Sequence, residues 1–523
     1  MALLLDNSLR AVEPIQLAPY PQKVRSFYSL ADAAVPASLR AGALPLPAGN
    51  VTAVAQAADG ALWLGTTQGL IRLDFAAPER DRRQYLAGKR YLPDDGVEQL
   101  AADGQGGVWA RTHSGVAHIE LKPMTLAQKA GHFEQRIRAR HDRYGLVADS
   151  ELRVAGEVSS NQPIDNDNDG LWTSLYAAAE CFRYAVTQSP EALANARKSI
   201  EAILFLEEVA GRRGFPDRSF IRKGDPMPGD GQWHWTPDGQ YYWKADTSSD
   251  EIAGHFFIFG IACDLLPDEP LRRRIAQTCS RIMNHILDHG YQLLGPEGKP
   301  TTWGWWSPEK LATQPDERAL NSLQLLSFLK TAAHLTGEAR YEKEYRKAAV
   351  DLKYADWITR VNEFRTELNY SDEELAMLPF YGLFQYERDP ALLKAYRRAA
   401  DEWWRNIQRE ACPLWTFIYL TGQPGTQADL SAALGTLYRM PLDTIEWDVV
   451  NSHRADLVWA AAAERSGRRE ALTLLPPDER PVMKWNSNPF VVDGGAGGRR
   501  EDDGAAFLLP YWLGRHHKFI LGE

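Results

Sequence analysis

The chain has 523 residues, of which 44% are hydrophobic and 24% are charged, and its formal net charge is −10. This composition excludes an intrinsically disordered chain, and the acidic balance disfavours nucleic-acid binding, because phosphates demand a basic footprint. No apolar run is long enough to span a membrane. The first residues lack the features of a signal peptide, so we expect a cytoplasmic protein, or a periplasmic or secreted one if the N-terminus was trimmed.

Residues 44–121 contain an internal repeat. Val51, Trp63, Thr66 and Gly69 recur 46 residues later as Val97, Trp109, Thr112 and Gly115. Each unit reads as an alternating strand, a turn, a strand with a Trp, a Gly turn and another strand, which is typical of a propeller blade. The two W-x-x-T-x-x-G lines, which begin at Trp63 and Trp109, resemble the repeats of bacterial two-component-regulator sensor propellers. Two units cannot close a ring of about four to eight blades, so we predict a small β module over residues 1–122, with Trp63 and Trp109 in its core.

From residue 123 to residue 523, apolar residues recur at helical spacing. The predicted helices cover residues 126–143, 170–188, 190–211, 249–266, 269–289, 316–336, 338–357, 372–387 and 389–409, with shorter ones over 413–420, 428–437 and 502–515. The helices come in consecutive pairs, so the fold class is mainly α: a six-hairpin α/α toroid behind the β module. An open helical solenoid is the alternative, and the absence of a 34-residue repeat in the sequence argues against it.

The four cysteines are far apart in the sequence and form no C-x-x-C pair. This spacing is not that of a zinc ribbon or a disulfide scaffold, and reduced core cysteines are expected. The seventeen tryptophans are more informative, because several lie in polar segments between the helices. We therefore sought the functional residues in those connections and at the helix starts.

The acidic segment 165–170 opens like an EF-hand calcium loop, D-x-D-x-D-G. An EF-hand also requires a Glu at the twelfth position, where this chain has Tyr176, so an EF-hand is excluded. Asp169 is interpreted as the cap of the following helix or as a carboxylate of the cleft. Calcium remains possible and no other cofactor is expected; the candidate ligands are Asp165, Asp167 and Asp169. Trp172 follows closely, and an exposed indole beside a carboxylate suits a sugar ring.

Residues 241–255 form the densest polar cluster of the sequence and lead into an apolar helix. Ser248 and Glu251 fit a capping box, but capping does not explain the other polar residues. Glu251 and His255 are four positions apart and share a helix face. The candidate catalytic residues of this segment are Asp246, Asp250, Glu251 and His255, and its candidate substrate-binding residues are Tyr242 and Trp243.

Two interpretations remain open for the tryptophans of segment 299–318, Trp303, Trp305 and Trp306. They form a stacking platform for pyranose rings, or they form a hydrophobic plug that closes one end of the toroid. We expect the stacking platform to bind substrate.

Segment 447–456 carries Asn451, His453 and Arg454. These residue types could neutralise a uronate carboxylate and abstract its α-proton. By residue type the grouping resembles the sites of α/α-toroid polysaccharide lyases. Alternatively, His453 is a structural histidine.

Segment 485–504 carries Trp485, a glycine-rich stretch and three acidic residues before the last helix. It lacks the G-K-[ST] ending of a phosphate-binding loop. We interpret it as a mobile lid with Trp485 against substrate and Asp503 as a functional carboxylate. The alternative is that these acids only favour the helix start electrostatically.

Aromatic loops and carboxylates at helix starts predict a carbohydrate-active enzyme. The most favoured function is a glycoside hydrolase acting on an oligo- or polysaccharide with paired carboxylates. The expected acid is Glu251, with Asp250 as substitute, and the expected base is Asp169, with Asp503 next.

Two alternatives remain. The layout of the helical part resembles α/α-toroid glycosidases, lyases and sugar epimerases, and the lyase version moves the chemistry to Tyr242, His453 and Arg454. The blade repeats instead favour a sensor that binds a glycan without cleaving it. The sequence does not indicate the sugar, the linkage or the oligomeric state.

Overall fold

A computed structural model describes residues 12–36, 51–365, 367–460, 467–481 and 484–522. Residues 44–50, where the predicted first repeat begins, and residues 1–11 of the predicted β module lie outside these ranges. Among the residues that are described, no helix combines the length and the apolar character needed to span a bilayer.

The N-terminal part consists of two four-stranded antiparallel sheets. The first sheet contains β3 (Val51–Gln56), β4 (Leu62–Thr66), β5 (Gly69–Leu73) and β6 (Arg83–Leu86) in sequential order. The second sheet contains β7 (Val97–Ala102), β8 (Val108–Thr112) and β9 (Val116–Met124), with β2 (Tyr20–Tyr28) paired to β9 at its outer edge. The N-terminal strand therefore supplies the fourth strand of the second blade.

The two predicted core tryptophans have different environments. Trp63 is fully buried between the sheets, and its indole N–H donates to the carbonyl of Gly106 at 3.2 Å. Trp109 is half-buried on the other face of the second sheet and stacks on His118 with ring centroids 4.0 Å apart. On that face Trp109 packs against the buried Val35 and Val116, and its ring centroid lies 5.2 Å from that of Tyr28. Both tryptophans therefore pack within the β module, but in two separate clusters.

Twelve principal helices follow. They are α1 (Leu126–Arg136), α2 (Asp169–Thr187), α3 (Pro190–Glu208), α4 (Ser249–Leu265), α5 (Glu269–Asp288), α6 (Pro315–Thr336), α7 (Ala339–Arg346), α8 (Tyr370–Tyr386), α9 (Pro390–Ile407), α10 (Pro413–Gly422), α11 (Gln427–Arg439) and α12 (Ala505–His516). Short helical segments lie at Pro308–Thr313, Tyr354–Trp357 and Val361–Phe364. Their starts follow local chemistry: Ser189 caps α3, Asp268 caps α5 and Asp389 caps α9, each ahead of a proline in the first turn.

The even-numbered helices form a closed ring. Each contacts the next, from α2 through α4, α6, α8 and α10 to α12, and α12 packs against α2. The odd-numbered helices pack outside this ring: α3, α5, α7, α9 and α11 each follow an inner helix and run back, and α1, the first helix of the chain, packs beside the last inner helix, α12. The inner helices are apolar on nearly all sides, as α4 illustrates, because they are covered by neighbours on both flanks. This arrangement confirms the predicted mainly α toroid of six helical hairpins with a small β module.

Short strands lie in the segments that connect and flank the helices. They are β1 (Ile15–Gln16), β10 (Asp142–Arg143), β11 (Leu146–Val147), β12 (Ser150–Leu152), β13 (Asn161–Pro163), β14 (Ser219–Arg222), β15 (Trp233–Trp235), β16 (Tyr241–Lys244), β17 (Gln292–Leu294), β18 (Pro300–Trp305), β19 (Arg500–Glu501) and β20 (Ile520–Leu521). β12 pairs with β19, and β1 pairs in parallel with β20. These pairings tie segments before α2 to segments on either side of α12.

A buried ion cluster joins the β module to the ring. Asp478 pairs with Lys23 of β2 and with Arg439 of α11, and Arg439 also reaches Glu479 at 2.9 Å. All four side chains are almost fully buried. Although burial opposes ionisation, Arg439 and Lys23 lower the pKa of Asp478. The β module and the helical ring are therefore joined by a buried interface rather than by exposed surface contacts.

Candidate active site

A polar cavity of about 400 Å³ lies where the inner helices begin. Since every inner helix runs in the same direction, their N-terminal ends gather at this end of the ring, where the helix dipoles favour negative charge. The side chains that matter for the argument are Asp149, Asn168, Trp172, Glu446, Lys484 and Asp502. Their backbone comes from the start of α2, the segment before α12 and the strands between α1 and α2.

Local interactions fix these side chains. Trp172 lies in the first turn of α2, which Asn168 precedes. Asp502 accepts a hydrogen bond from the backbone N–H of Gly504 at 2.9 Å, which turns the chain into α12. Gly504 has a φ of 92°, and a Cβ there would lie 2.7 Å from the Phe133 ring, so only glycine fits this turn.

Lys484 holds the centre of the cavity wall. Its Nζ lies 2.5 Å from Asp149 Oδ1 and 3.8 Å from Asp502 Oδ2. The same ammonium lies 4.8 Å from the centroid of the Trp172 ring. One cation thus stands between two carboxylates and over the face of an indole that is 9% exposed.

The two carboxyl groups, those of Asp502 and Asp149, have different electrostatic surroundings. Burial raises the pKa of Asp502 to about 7, helped by Asp503 and Asp149 and opposed by Lys484. Asp149 accepts a hydrogen bond from the ammonium at 2.5 Å. Burial opposes the charge of Lys484, but the neighbouring carboxylates raise its pKa, so it stays protonated. Asp502 is therefore a group that can donate a proton near neutral pH, and Asp149 is paired with the cation.

A second group of carboxylates adjoins the cavity, and we call it the acidic cluster. It consists of Asp250 of α4, Glu317 of α6, and Asp372 and Glu374 of α8. Asn168, which lines the cavity, donates from Nδ2 to Asp250 Oδ2 at 3.1 Å and so links the two. Burial and the like charge of Glu317 raise the pKa of Asp372 to about 8. Burial and Asp250 raise the pKa of Glu374 to about 8.

The placement of Glu251 corrects its assignment as the acid. Its side chain is fully buried, and it accepts a hydrogen bond from the backbone N–H of Gly170 at 3.1 Å. His255 is equally buried, bonds the Glu251 carbonyl, and has its pKa lowered to about 4 by burial. Both residues hold α4 against the start of α2 and do not reach the cavity. Asp250, one residue earlier, is half-buried and faces the acidic cluster.

Asp169 and Asp503 are also structural. Asp169 is fully buried, pairs with Arg143 and accepts from Ser219. Although Arg143 opposes it, burial raises the pKa of Asp169 to about 6. Asn168, not Asp169, occupies the cap position of α2. Asp503 accepts from the backbone N–H of Ala505 at 2.5 Å and caps the last helix. The expectation that either is the base is corrected by these contacts.

The three tryptophans of segment 299–318 differ in their exposure to solvent. Trp306 is fully buried and its indole donates to Gln324 at 2.9 Å; Trp305 is 4% exposed, and Trp303 is 51% exposed. The burial of Trp306 and Trp305 fits a hydrophobic plug. Of the three, only Trp303 is exposed enough to contact a ligand. Asp246, in the left-handed region with a φ of 57°, accepts from the backbone N–H of Thr302 at 2.8 Å and anchors this hairpin, so it is not catalytic.

The remaining aromatic candidates pack against protein. Tyr242 stacks between Trp233 and Trp235 on the β14–β16 sheet, with centroids 5.3 and 4.8 Å away. Trp243 is buried and stacks on His234. Trp485 is 6% exposed within the helical core. These positions do not support direct sugar binding by Trp243 or Trp485.

The lyase-like grouping is not assembled into a catalytic site. The Asn451 amide donates to the carbonyl of Glu479 at 2.7 Å, and His453 Nε2 lies 3.0 Å from the hydroxyl of Tyr85 in the β module. Arg454 pairs with Glu479 and Asp456. The three side chains therefore hold the β module against the ring, and Tyr242 lies on a different sheet.

The candidate calcium ligands surround a lysine instead. Lys244 Nζ lies 2.7 Å from Asp167, 3.5 Å from Asp165 and 3.2 Å from Asp230. Asp169 turns away toward Arg143. Within the described part of the chain, no group of three or more His, Cys, Asp or Glu side chains is arranged to hold a metal ion. The Lys244 ammonium therefore lies among the carboxylates that the sequence suggested as calcium ligands.

Sequence reasoning missed Asp149, Glu446, Lys484 and the acidic residues of α8. Asp502 adjoins the predicted Asp503, and Lys484 adjoins the predicted Trp485, so neighbours of two predicted residues line the cavity. The run Ser371-Asp372-Glu373-Glu374 at a helix start was a usable signal of the same kind as residues 248–251. Asp149 carries no local signal, because only the fold brings it to Lys484.

Comparisons with known proteins match both parts of the chain. A family model described as a two component regulator propeller matches residues 45–68, which confirms the resemblance of the repeats. No curated protein matches this chain in sequence. Two similar solved structures are a cellobiose 2-epimerase from Spirochaeta thermophila and a sugar epimerase from a ruminal bacterium, each at 11% identity and a TM-score of 0.35. They cover 74% and 73% of this chain and 97% and 98% of their own. This chain is thus similar in part to regulator propellers and, distantly, to sugar epimerases.

Proposed function

We propose that the cavity is the active site of a carbohydrate-active enzyme that hydrolyses glycosidic bonds in an oligo- or polysaccharide. The observation that carries the proposal is the placement of Lys484 between Asp149 and Asp502, beside the Trp172 indole. Glycoside hydrolysis requires one carboxyl group that is protonated at working pH and one that is ionised. The raised pKa of Asp502 supports it as the protonated group, and we assign Asp149 as the second carboxyl group.

In the proposed reaction, the Asp502 carboxyl donates its proton to the glycosidic oxygen as the bond from that oxygen to the anomeric carbon breaks. Asp149 accepts a proton from water, whose oxygen forms the new bond to the anomeric carbon. Trp172 packs against Lys484 and helps to hold it in place. Lys484 pairs with Asp149 and orients it, and is therefore a positioning residue.

Hydrolysis is favoured over elimination because the residues of the lyase alternative are separated. His453 and Arg454 contact the β module, and Tyr242 lies between tryptophans of a different sheet. The sensor alternative shares the same cavity and predicts binding without product. Product analysis distinguishes these possibilities.

The test is incubation of the full chain with a panel of oligosaccharides in ¹⁸O-labelled water, followed by mass spectrometry. Hydrolysis adds one labelled water per bond cleaved, elimination gives an unsaturated product, epimerisation gives an isomer of unchanged mass that chromatography separates, and a sensor gives no product. Asp502→Asn and Asp149→Asn should each lower cleavage about 100-fold or more. Asp351→Asn, an exposed aspartate after α7, is the matched control and should retain full activity. Full activity in either active-site variant would contradict the assignment.

A further inference from the structure

Residues 443–448 lie between the β module and the cavity, and we call this segment the shared wall. On the side of the module, Arg25 of β2 donates a hydrogen bond to Asp443 Oδ2 at 2.9 Å. On the other side, Glu446 lines the cavity together with both proposed catalytic carboxyl groups. A contact with the module is therefore only a few residues away from the place where the sugar would bind.

Asp443 connects the module to the shared wall. Its Oδ2 also accepts from the indole N–H of Trp447 at 3.0 Å, and its Oδ1 accepts from the backbone N–H of Ile445 at 2.9 Å. The Arg25 guanidinium lies 5.4 Å from the centroid of the Trp447 ring. Arg90, from the same module, donates to the Ile445 carbonyl at 3.3 Å. Two arginines of the module thus hold the shared wall in place.

The glycine-rich stretch fixes the backbone of Glu446 from its other side. The Glu446 N–H donates to the Arg500 carbonyl at 2.8 Å, and its carbonyl accepts from the N–H groups of Ala496 and Gly498, each at 3.0 Å. Gly498 has a φ of 75° and packs so closely on Trp447 that a Cβ there would lie 2.6 Å from the indole ring. A shift of the indole would therefore displace the groups that hold Glu446.

The Glu446 side chain is available to a ligand. It is half-buried, and within the part of the chain that the structure describes, its carboxylate forms no hydrogen bond or ion pair. Its charged neighbours are Arg500, Asp149 and Lys484, and all three line the cavity. The carboxylate is thus a hydrogen-bond acceptor on a polar wall, and sugar hydroxyl groups are donors that match it.

We propose that Glu446 binds two adjacent hydroxyl groups of the sugar in the cavity, and that Arg25 of the β module is a positioning residue that holds Glu446 there. This inference rests on the proposed function, because it takes the cavity as the sugar site. The two oxygens of one carboxylate can accept from neighbouring hydroxyl groups, which favours a neutral sugar with a free vicinal diol. The module would then serve binding, although none of its described residues lines the cavity.

The first experiment is a double-mutant cycle with the full chain and the tetrasaccharide that it cleaves best among cellotetraose, maltotetraose and mannotetraose. Glu446→Gln should raise KM about tenfold with kcat nearly unchanged, because hydroxyl groups remote from the cleaved bond are bound equally in the ground and transition states. Arg25→Met should also raise KM, and Arg25→Lys, which keeps the charge beside Asp443, should recover most of the loss. The double variant should resemble Glu446→Gln alone, since both changes act on one contact.

The second experiment measures the position of the shared wall without a ligand. In hydrogen exchange followed by mass spectrometry, Arg25→Met should speed exchange in residues 443–448 and 494–500, whereas α2 and α12 should exchange as in the wild type. The matched control in both experiments is Arg82→Met, an exposed arginine of the module whose side chain donates to the Ala77 carbonyl. It should leave both KM and exchange unchanged.

The outcomes separate this inference from the proposed function. Cleavage with an unchanged KM in Glu446→Gln would leave the hydrolase proposal standing and refute the role of Glu446. Additive effects in the double variant, or unchanged exchange in the shared wall, would refute Arg25 as a positioning residue. Binding without cleavage would refute hydrolysis, and the same cycle measured on Kd would still decide the role of Glu446. A wild type that binds none of the three tetrasaccharides would refute both.

Discussion

Replacing Glu374 with glutamine should stabilise the protein at alkaline pH. Glu374 is nearly inaccessible to solvent and has no hydrogen-bond partner among the described residues, and burial raises its pKa to about 8 from an ordinary value of 4.5. In the folded protein this group therefore keeps a proton that the unfolded chain releases. The free energy of unfolding must fall as pH rises from about 4.5 to about 8, because the unfolded state binds fewer protons in that interval.

The magnitude follows from the same interval. At about 1.4 kcal/mol per pH unit, a single carboxyl group with these two pKa values loses at most about 5 kcal/mol of stability. Water and neighbouring groups relax around a carboxylate when it ionises, so we expect about 2 to 3 kcal/mol. The glutamine side chain has the same shape and no charge, and it should remove this fall.

The assay is urea denaturation of both proteins at pH 5 and pH 8, followed by circular dichroism. The two should be nearly equal in stability at pH 5, and Glu374→Gln should be the more stable at pH 8. The control is Glu309→Gln, an exposed glutamate, which should leave the difference in stability between the two pH values as in the wild type. A variant that is less stable than wild type at both pH values would refute the reasoning about Glu374.

Three further outcomes are expected. Activity should decline above about pH 7 as Asp502 loses its proton, and Asp502→Asn should abolish this alkaline limb with most of the activity; a limb that persists in the variant assigns the acid elsewhere. Trp306→Ala should lower stability by about 3 to 5 kcal/mol in chemical denaturation, whereas Trp303→Ala should leave stability unchanged and weaken glycan binding. Lys23→Met should destabilise the protein by about 3 kcal/mol, since Asp478 then stays buried with one cation fewer, and an unchanged melting temperature would mean that Arg439 alone neutralises it.

The helices were predictable because their signals are local. Apolar spacing and the caps before Pro190, Pro270 and Pro390 set their positions, and consecutive pairing of helices predicted a ring. The blade repeat was visible for the same reason, since each copy carries its own turns and its own Trp. The positions and the number of the helices and of the blade repeats could therefore be predicted from the sequence.

The residues of the site were harder to predict, because their positions depend on the rotation of each helix about its axis and on contacts between residues that are far apart in the sequence. Asp250 and Glu251 are adjacent and equally acidic, but about 100° of helical rotation puts one at the cluster and the other against Gly170. Lys484 and Asp149 are separated by most of the helical ring in sequence and meet only when the ring closes. No pattern in the sequence encodes that meeting, so the pair could not have been named in advance.

Ring closure between α2 and α12 also has a consequence for synthesis. The two helices that complete the ring come from opposite parts of the chain, and β1 and β20 are paired across the same distance. During translation, the apolar side of α2 therefore has no final partner until residues 505–516 have been made. Long-range contacts of this kind slow folding and prolong the exposure of apolar surface. Nascent chains should accordingly depend on chaperones until the last helix emerges from the ribosome, and C-terminal truncations that remove α12 should aggregate rather than form a smaller ring.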